Sequence, residues 1–199
     1  MQINWEEIWS YHAPHHQNGY SKIPLKNGSH LVLKAGPGFG DLSHPTTSLC
    51  LNFLLELDFT TCVDMGTGTG ILAIAAALLG AKRVYAYEID PDSILHAQEN
   101  IALNGVENSV ILNPDLPPPS FDLLLLNMIS SEQQAALESH PFLSNSNHTR
   151  IVSGILSEQE NGYLKNASHG KIVSRKQEGD WIAYRFFHSQ RVDSRPSRT

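Results

Sequence analysis

Between Val63 and Leu72 the chain reads Val-Asp-Met-Gly-Thr-Gly-Thr-Gly-Ile-Leu, with glycines at 66, 68 and 70 and an acid, Asp64, two residues ahead of the first. Glycine lets a backbone turn sharply and approach a ligand that any Cβ would obstruct. The stretch lies where a short apolar run gives way to a helix-forming one, the place at which open α/β sheets bind ligands. The last glycine comes one residue early for the dinucleotide fingerprint, and a carboxylate at Asp64 suits a pyrophosphate poorly and a cation well. A second acid, Glu88, follows Gly66 by 22 residues, near the spacing at which a carboxylate holds ribose hydroxyls. Asp64, Gly66, Gly68, Gly70 and Glu88 together favour S-adenosylmethionine, a ligand with an ammonium, a sulfonium and no phosphate, over a nicotinamide cofactor. Of the two acids in Tyr87-Glu88-Ile89-Asp90-Pro91, Glu88 ends its strand and faces the crevice. Asp90, just before proline, suits a helix N-cap.

The elements that must position these groups alternate. Thr61–Met65, Arg83–Ile89, Val110–Asn113, Phe121–Asn127 and Arg150–Gly154 read as strands. Thr46–Leu57, Thr69–Leu79, Pro91–Asn104, Ser130–His140 and Glu158–Asn166 read as helices, with proline and glycine as start and stop signals. The continuous apolar run in Phe-Asp-Leu-Leu-Leu-Leu-Asn is that of a strand covered on both faces, and Ser130-x-x-Gln133 has the form of a capping box. Lys171–Arg175 and Asp180–Phe187 form a closing hairpin around Glu178-Gly179. The expected fold is α/β: a doubly wound, mostly parallel seven-stranded sheet with an antiparallel C-terminal hairpin. Residues 1–45 read as a turn-rich lead-in with one short strand at Leu31–Leu33, residues 46–187 as the binding and catalytic domain, and 188–199 as a flexible polar tail.

Composition narrows the class. The chain has 199 residues, 41% of them hydrophobic, and 14 Lys and Arg against 20 Asp and Glu give a net charge of −6. That length allows one good-sized domain with a core, and the acidic balance argues against coating nucleic acid by bulk charge. The N-terminus lacks the basic start of a secretory signal, and the longest apolar run, Ile71–Leu79, is far short of the roughly 20 residues that span a bilayer. Cys50 and Cys62 form no CxxC pair, so no metal site is expected. His12, His15 and His16 read as solvated loop residues. The expected compartment is the cytoplasm.

With these residues in place, the chain resembles the class I methyltransferases, and more narrowly the PrmA family, which methylates amino groups of large-subunit ribosomal protein eleven. The resemblance runs through Asn4–Trp9, Pro37-Gly38-Phe39-Gly40, the threonine-rich Ser43-His44-Pro45-Thr46-Thr47, Val63–Ala75, Glu88–Pro91 and Asn104-Gly105. It continues through Phe121–Asn127, Val152-Ser153-Gly154-Ile155-Leu156 and Glu178-Gly179-Asp180-Trp181, and covers roughly residues 4–187. Asp41, Leu42 and Ser43 stand where the family has Thr-Gly-Thr, and Asp115 is the acid available for its adenine contact. The family's N-terminal recognition domain is expected to be missing from this chain, which starts near the segment that follows it.

The resemblance implies S-adenosylmethionine as cofactor, held by Phe39, Thr46, Thr47, Asp64, Gly66, Gly68, Gly70, Glu88 and Asn127. Thr46 and Thr47 would close over it, and Phe39 would line the entrance. It implies a protein amino group as acceptor, on a lysine or an N-terminus of a ribosomal protein. Methyl transfer from a sulfonium is an in-line displacement, so alignment in a dry pocket is the main requirement. A lysine amine, of unperturbed pKa ~10.4, must lose its proton, which burial beside a cation promotes. Asn127, at a strand end, is the catalytic candidate, able to orient the amine through its side-chain carbonyl. His44, before Pro45, either serves only to shape the turn or is a second catalytic candidate. RNA or a small molecule remains the alternative acceptor, although Asn127 is followed by Met-Ile-Ser rather than the Pro-Pro-Tyr of nucleobase methylation. A non-catalytic module binding the cofactor or a ribosomal partner is the other alternative, kept open by the altered loop.

Overall fold

The computed structural model describes residues 3–144, 147–166 and 168–189. Helix α1 (Trp5–His12) starts at Asn4, whose side chain accepts from the Glu7 amide at 3.3 Å. Strands β1 (His16–Gln17), β2 (Tyr20–Pro24) and β3 (His30–Lys34) form an antiparallel meander. Helix α2 (Pro45–Leu54) leads into β4 (Thr61–Met65), α3 (Ile71–Leu78), β5 (Arg83–Tyr87), α4 (Pro91–Leu103) and β6 (Val110–Leu112). Then follow β7 (Leu123–Asn127), α5 (Ser130–Ser139), β8 (His148–Leu156), α6 (Glu160–Asn166), β9 (Lys171–Glu178) and β10 (Trp181–His188).

The main sheet has the order β6-β5-β4-β7-β8-β10-β9, parallel through β8, with β10 antiparallel to both neighbours. Strand order reverses between β4 and β7, and a crevice opens at the carboxyl ends of strands at such a switch point. Asn127 and the glycine turn after Met65, which begins 61 residues earlier at Gly66, are therefore brought side by side. The four leucines of β7, Leu123 to Leu126, are all buried. Leu123 and Leu125 join the core under α3 and the meander, and Leu124 and Leu126 the core under α6.

The seven-stranded fold is the expected one, with element ends shifted by a few residues. The lead-in differs more. Residues 5–34 hold a helix and a three-stranded sheet where the sequence suggests turns around one strand. The β2 alternation, Ser21 and Ile23 inward and Tyr20, Lys22 and Pro24 outward, is only five residues long and ends on proline, which masked it. His12 ends α1 and approaches Asp41 at 3.3 Å, and His16 meets the Trp9 ring edge-on, so neither is simply a solvated loop residue. The capping box at Ser130 does not form: Ile129 is the N-cap of α5 with no side-chain bond, and Gln133 is buried. β10 runs through His188, into the stretch expected as a tail, whose residues 190–199 lie outside the described residues. No helix among the described residues is long and apolar enough to cross a membrane.

Candidate active site

The glycine turn is tied on both sides. The Gly66 and Thr67 amides donate to the Tyr87 carbonyl at 2.8 and 2.9 Å, and the Thr67 hydroxyl donates to Asp64 Oδ2 at 2.7 Å. Asp64 is buried, and that burial, reinforced by the Glu88 charge, pushes its carboxyl up to about 6 against the Thr67 bond. Gly68 holds φ +57, and a Cβ there would come within 2.3 Å of the Phe39 carbonyl. Only glycine lets residues 38–40 lie across the turn, where the Thr69 amide donates to Phe39 O at 2.9 Å and the Thr69 hydroxyl to Gly40 O at 3.1 Å.

Glu88 stands at the end of β5 with its carboxylate drawn toward the turn. Oε2 accepts from Gly68 N at 3.0 Å, and Oε1 from the Ile89 and Asp90 amides at 2.8 and 3.1 Å. Asn113, in the left-handed region at φ 46, brackets it, accepting from Glu88 N and donating to Glu88 O at 2.9 Å each. Asp90 caps α4, accepting from Ser93 N at 2.8 Å, as expected for that acid.

Across the crevice, His44 is the N-cap of α2, its Nδ1 2.8 Å from the Thr46 hydroxyl. Its ring lies between Phe39 and Trp181, with centroids at 5.4 and 4.6 Å, and burial lowers its pKa against the pull of Asp41. Asn127 Nδ2 donates to Thr47 Oγ1 at 3.2 Å, which leaves Asn127 Oδ1 buried with no hydrogen-bond partner.

These groups border a cavity of about 790 Å³, a volume suited to a nucleoside-sized ligand. Phe39, Thr46, Gly66, Gly68, Glu88 and Asn127 line it. The other three candidates stand one step back: Asp64 under the turn, Gly70 as the left-handed N-cap of α3, and Thr47 behind Asn127. Asp115 is exposed and off the wall, whereas Asn113 lines it. Sequence reasoning missed Trp181, delivered by the turn of the C-terminal hairpin, and Tyr87, whose hydroxyl is buried and unpartnered. The position of Tyr87 beside Glu88 was the available signal for it. Two carboxylates, Glu88 and Glu132, and no lysine or arginine line the cavity among the described residues, so its field favours a cationic ligand.

The lead-in is latched to this wall by His96 of α4. Gly38 N donates to His96 Nδ1 at 3.0 Å, and His96 Nε2 donates to Lys34 O at 2.8 Å, so the ring is held neutral. Trp9 packs edge-on against it and donates to Gly36 O at 3.1 Å. Burial lowers the His96 pKa, opposed by the hydrogen bond to the Lys34 carbonyl and by the Glu99 charge, with the Lys34 ammonium adding to the lowering. His44, His169 and His188 are lowered by burial as well, His169 to about 3. A histidine lowered in the folded state stabilises it above the unfolded value of ~6.5, and that stability drains away as pH falls toward the folded value. Asp64, raised in the fold, works in the opposite sense and returns part of the loss below pH 6. The melting temperature should therefore fall between pH 7.5 and pH 5. His96→Phe should lower it at pH 7.5 by about 1–3 kcal/mol of stability, the cost of leaving the Gly38 amide and Lys34 carbonyl unpaired, and shrink the further acid loss. Thermal melts at the two pH values check both.

The mostly parallel sheet with a reversed hairpin at one edge, a glycine turn after β4 and an acid closing β5 define a class I methyltransferase fold. Within that class, the sequence model for ribosomal protein L11 methyltransferase (PrmA) matches residues 15–188, and the chain belongs to this family. It is 35% identical to the ribosomal protein L11 methyltransferase of Geobacter sulfurreducens, over 92% of this chain and 66% of that protein. To that of Geotalea daltonii it is 38% identical, over 76% and 54%. The chain thus spans less than two thirds of the length of these relatives. The crystal structure of a ribosomal protein L11 methylase from Lactobacillus delbrueckii subsp. bulgaricus superposes with a TM-score of 0.68 at 30% identity, covering 84% of this chain and 89% of that one. The M. jannaschii tRNA m1G37 methyltransferase, at 16% identity and TM-score 0.64 over 88% of this chain and 56% of that one, shares the fold alone.

Proposed function

We propose that the chain is an S-adenosylmethionine-dependent protein N-methyltransferase of the cytoplasm, acting on an amino group of ribosomal protein L11. The observation that carries this reading is Asn127: it lines the cavity, its amide is oriented by Thr47, and its carbonyl oxygen is buried with no hydrogen-bond partner. An acceptor aimed at a developing ammonium is what an incoming amine needs. Bound S-adenosylmethionine supplies a methyl group on a cationic sulfur. Glu88 would hold its ribose hydroxyls, the Gly66–Gly68 turn would take its close approach, and Phe39, Thr46, Thr47, Asp64 and Gly70 would shape and close the site. The unpartnered Tyr87 hydroxyl and the absence of lining cations among the described residues fit such a ligand. Phe39, His44 and Trp181 give the amine an apolar approach that strips water, which favours its neutral, nucleophilic form.

Incubating the chain with methyl-labelled S-adenosylmethionine, purified L11 and ribosomal extract tests the reading. Label on L11 is the expected result. Label on RNA, or none despite cofactor binding, would replace this reading with one of the two alternatives.

A further inference from the structure

We infer that Gln133 is a positioning residue for methyl transfer, a clamp that fixes the backbone carrying Asn127; the inference rests on the role of Asn127 proposed above. Gln133 lies in the first turn of α5 and is 2% exposed. Its Nε2 donates to Met128 O at 2.7 Å and to Ser153 O at 2.9 Å, and its Oε1 accepts from the Tyr163 hydroxyl at 2.7 Å. The two carbonyls sit where the β7–β8 ladder runs out, since Asn127 paired with Ser153 is its last rung. Beyond that rung, a single side-chain amide ties the two strand ends together.

The neighbouring backbone leaves no slack. Gly154 has φ +84, and a Cβ there would fall 2.2 Å from Met128 O, so the strand ends pass in direct contact. Met128 and Gly154 both line the cavity. Behind the clamp, Tyr163 also meets His169 Nε2 at 2.7 Å. The buried guanidinium of Arg150 donates to Leu143 O and Ser168 O at 2.9 and 3.3 Å, anchoring the segments that flank α5 and α6. Asn127 thus owes its orientation to two ties, Thr47 on its side chain and Gln133 on the peptide after it. An in-line displacement is sensitive to that placement, a misplacement of about 1 Å costing on the order of 10²-fold in rate.

Gln133→Met keeps the length and removes all three bonds. The expected result is a kcat lower by about 10²-fold with affinity for S-adenosylhomocysteine, read by calorimetry, essentially unchanged, and faster hydrogen exchange at residues 127–130 and 153–155. Gln133→Glu adds a signature that packing alone would not give: a neutral carboxyl donates one bond and an ionised one none, so its activity should decline as pH rises where wild type does not. If either variant fails to fold, Tyr163→Phe keeps both donated bonds and removes the accepted one, with a loss of a few-fold expected from one net hydrogen bond. Wild-type kcat in Gln133→Met, or a loss of cofactor affinity equal to the loss of kcat, would overturn the clamp. If the wild-type chain transfers no methyl group, the functional reading fails instead, and hydrogen exchange alone decides the clamp: unchanged exchange at Met128 overturns it.

Discussion

Replacing Asn127 by alanine should lower the rate of methyl transfer by about 10²-fold, the usual scale for removing one oriented polar group from a reacting centre, while leaving S-adenosylhomocysteine affinity close to wild type. The reason lies in the two ends of the amide. The Nδ2 end is already committed to Thr47 at 3.2 Å, so the Oδ1 end cannot rotate away without breaking that bond. Truncation therefore removes a fixed acceptor rather than a mobile one, and the loss should fall on kcat. Asn127→Asp keeps the acceptor geometry and adds charge. It should retain more activity than alanine, with a pH profile moved upward because an anion beside the amine stabilises its protonated form. Single-turnover rates on labelled L11 separate these outcomes from an effect on binding. Equal losses in rate and cofactor affinity for alanine would show that Asn127 holds the cofactor and does not direct the amine.

Glu88→Ala should weaken cofactor binding by at least about 10²-fold. Two hydrogen bonds from ribose hydroxyls to a carboxylate are worth about 1.5–3 kcal/mol each, and each 1.4 kcal/mol is tenfold in affinity. The carboxylate also organises its own surroundings, because it accepts from the amides of Gly68, Ile89 and Asp90. Its loss leaves the glycine turn without its outer tie. Glu88→Gln keeps one acceptor oxygen, enough for the Ile89 and Asp90 amides, loses the one facing Gly68 N, and should bind at an intermediate affinity between Glu and Ala. Titration calorimetry gives the three dissociation constants. Wild-type affinity in the alanine variant would rule out Glu88 as the ribose acid.

Most of the parallel core was legible because strand and helix periods alternate cleanly from Thr61 onward, and β7 carries the unbroken apolar run of a strand buried on both faces. The cavity wall was legible in part for the same reason: the turn after β4 and the acid that follows β5 are local signals. What lay hidden depends on long-range contact. Trp181 reaches the cavity only because β10 inserts between β8 and β9, an arrangement that no local pattern announces. Gln133 looked like a cap because capping and clamping use the same residue at the same spacing from a helix start, and only the positions of Met128 O and Ser153 O decide between them. The helix and meander before Lys34 escaped because their strands are two to five residues long, too short for a period of two to stand out.

The latch at His96 has a consequence for which substitutions the lead-in tolerates. Both of its ring nitrogens engage backbone groups, Gly38 N and Lys34 O, so the imidazole reads the path of the chain and none of its side chains. The steric limits fall on Gly36, where a Cβ would lie 2.6 Å from the ring, and on Gly38, where it would lie 2.7 Å from the Gly68 backbone. At Lys34 and Ala35 the ring imposes no such limit; Lys34 is held by its ion pair with Glu99 and Ala35 by packing against the core. A saturation scan of residues 34–38 should return an uneven tolerance map, most permissive at the exposed Lys34, limited by core packing at Ala35, and closed at 36 and 38.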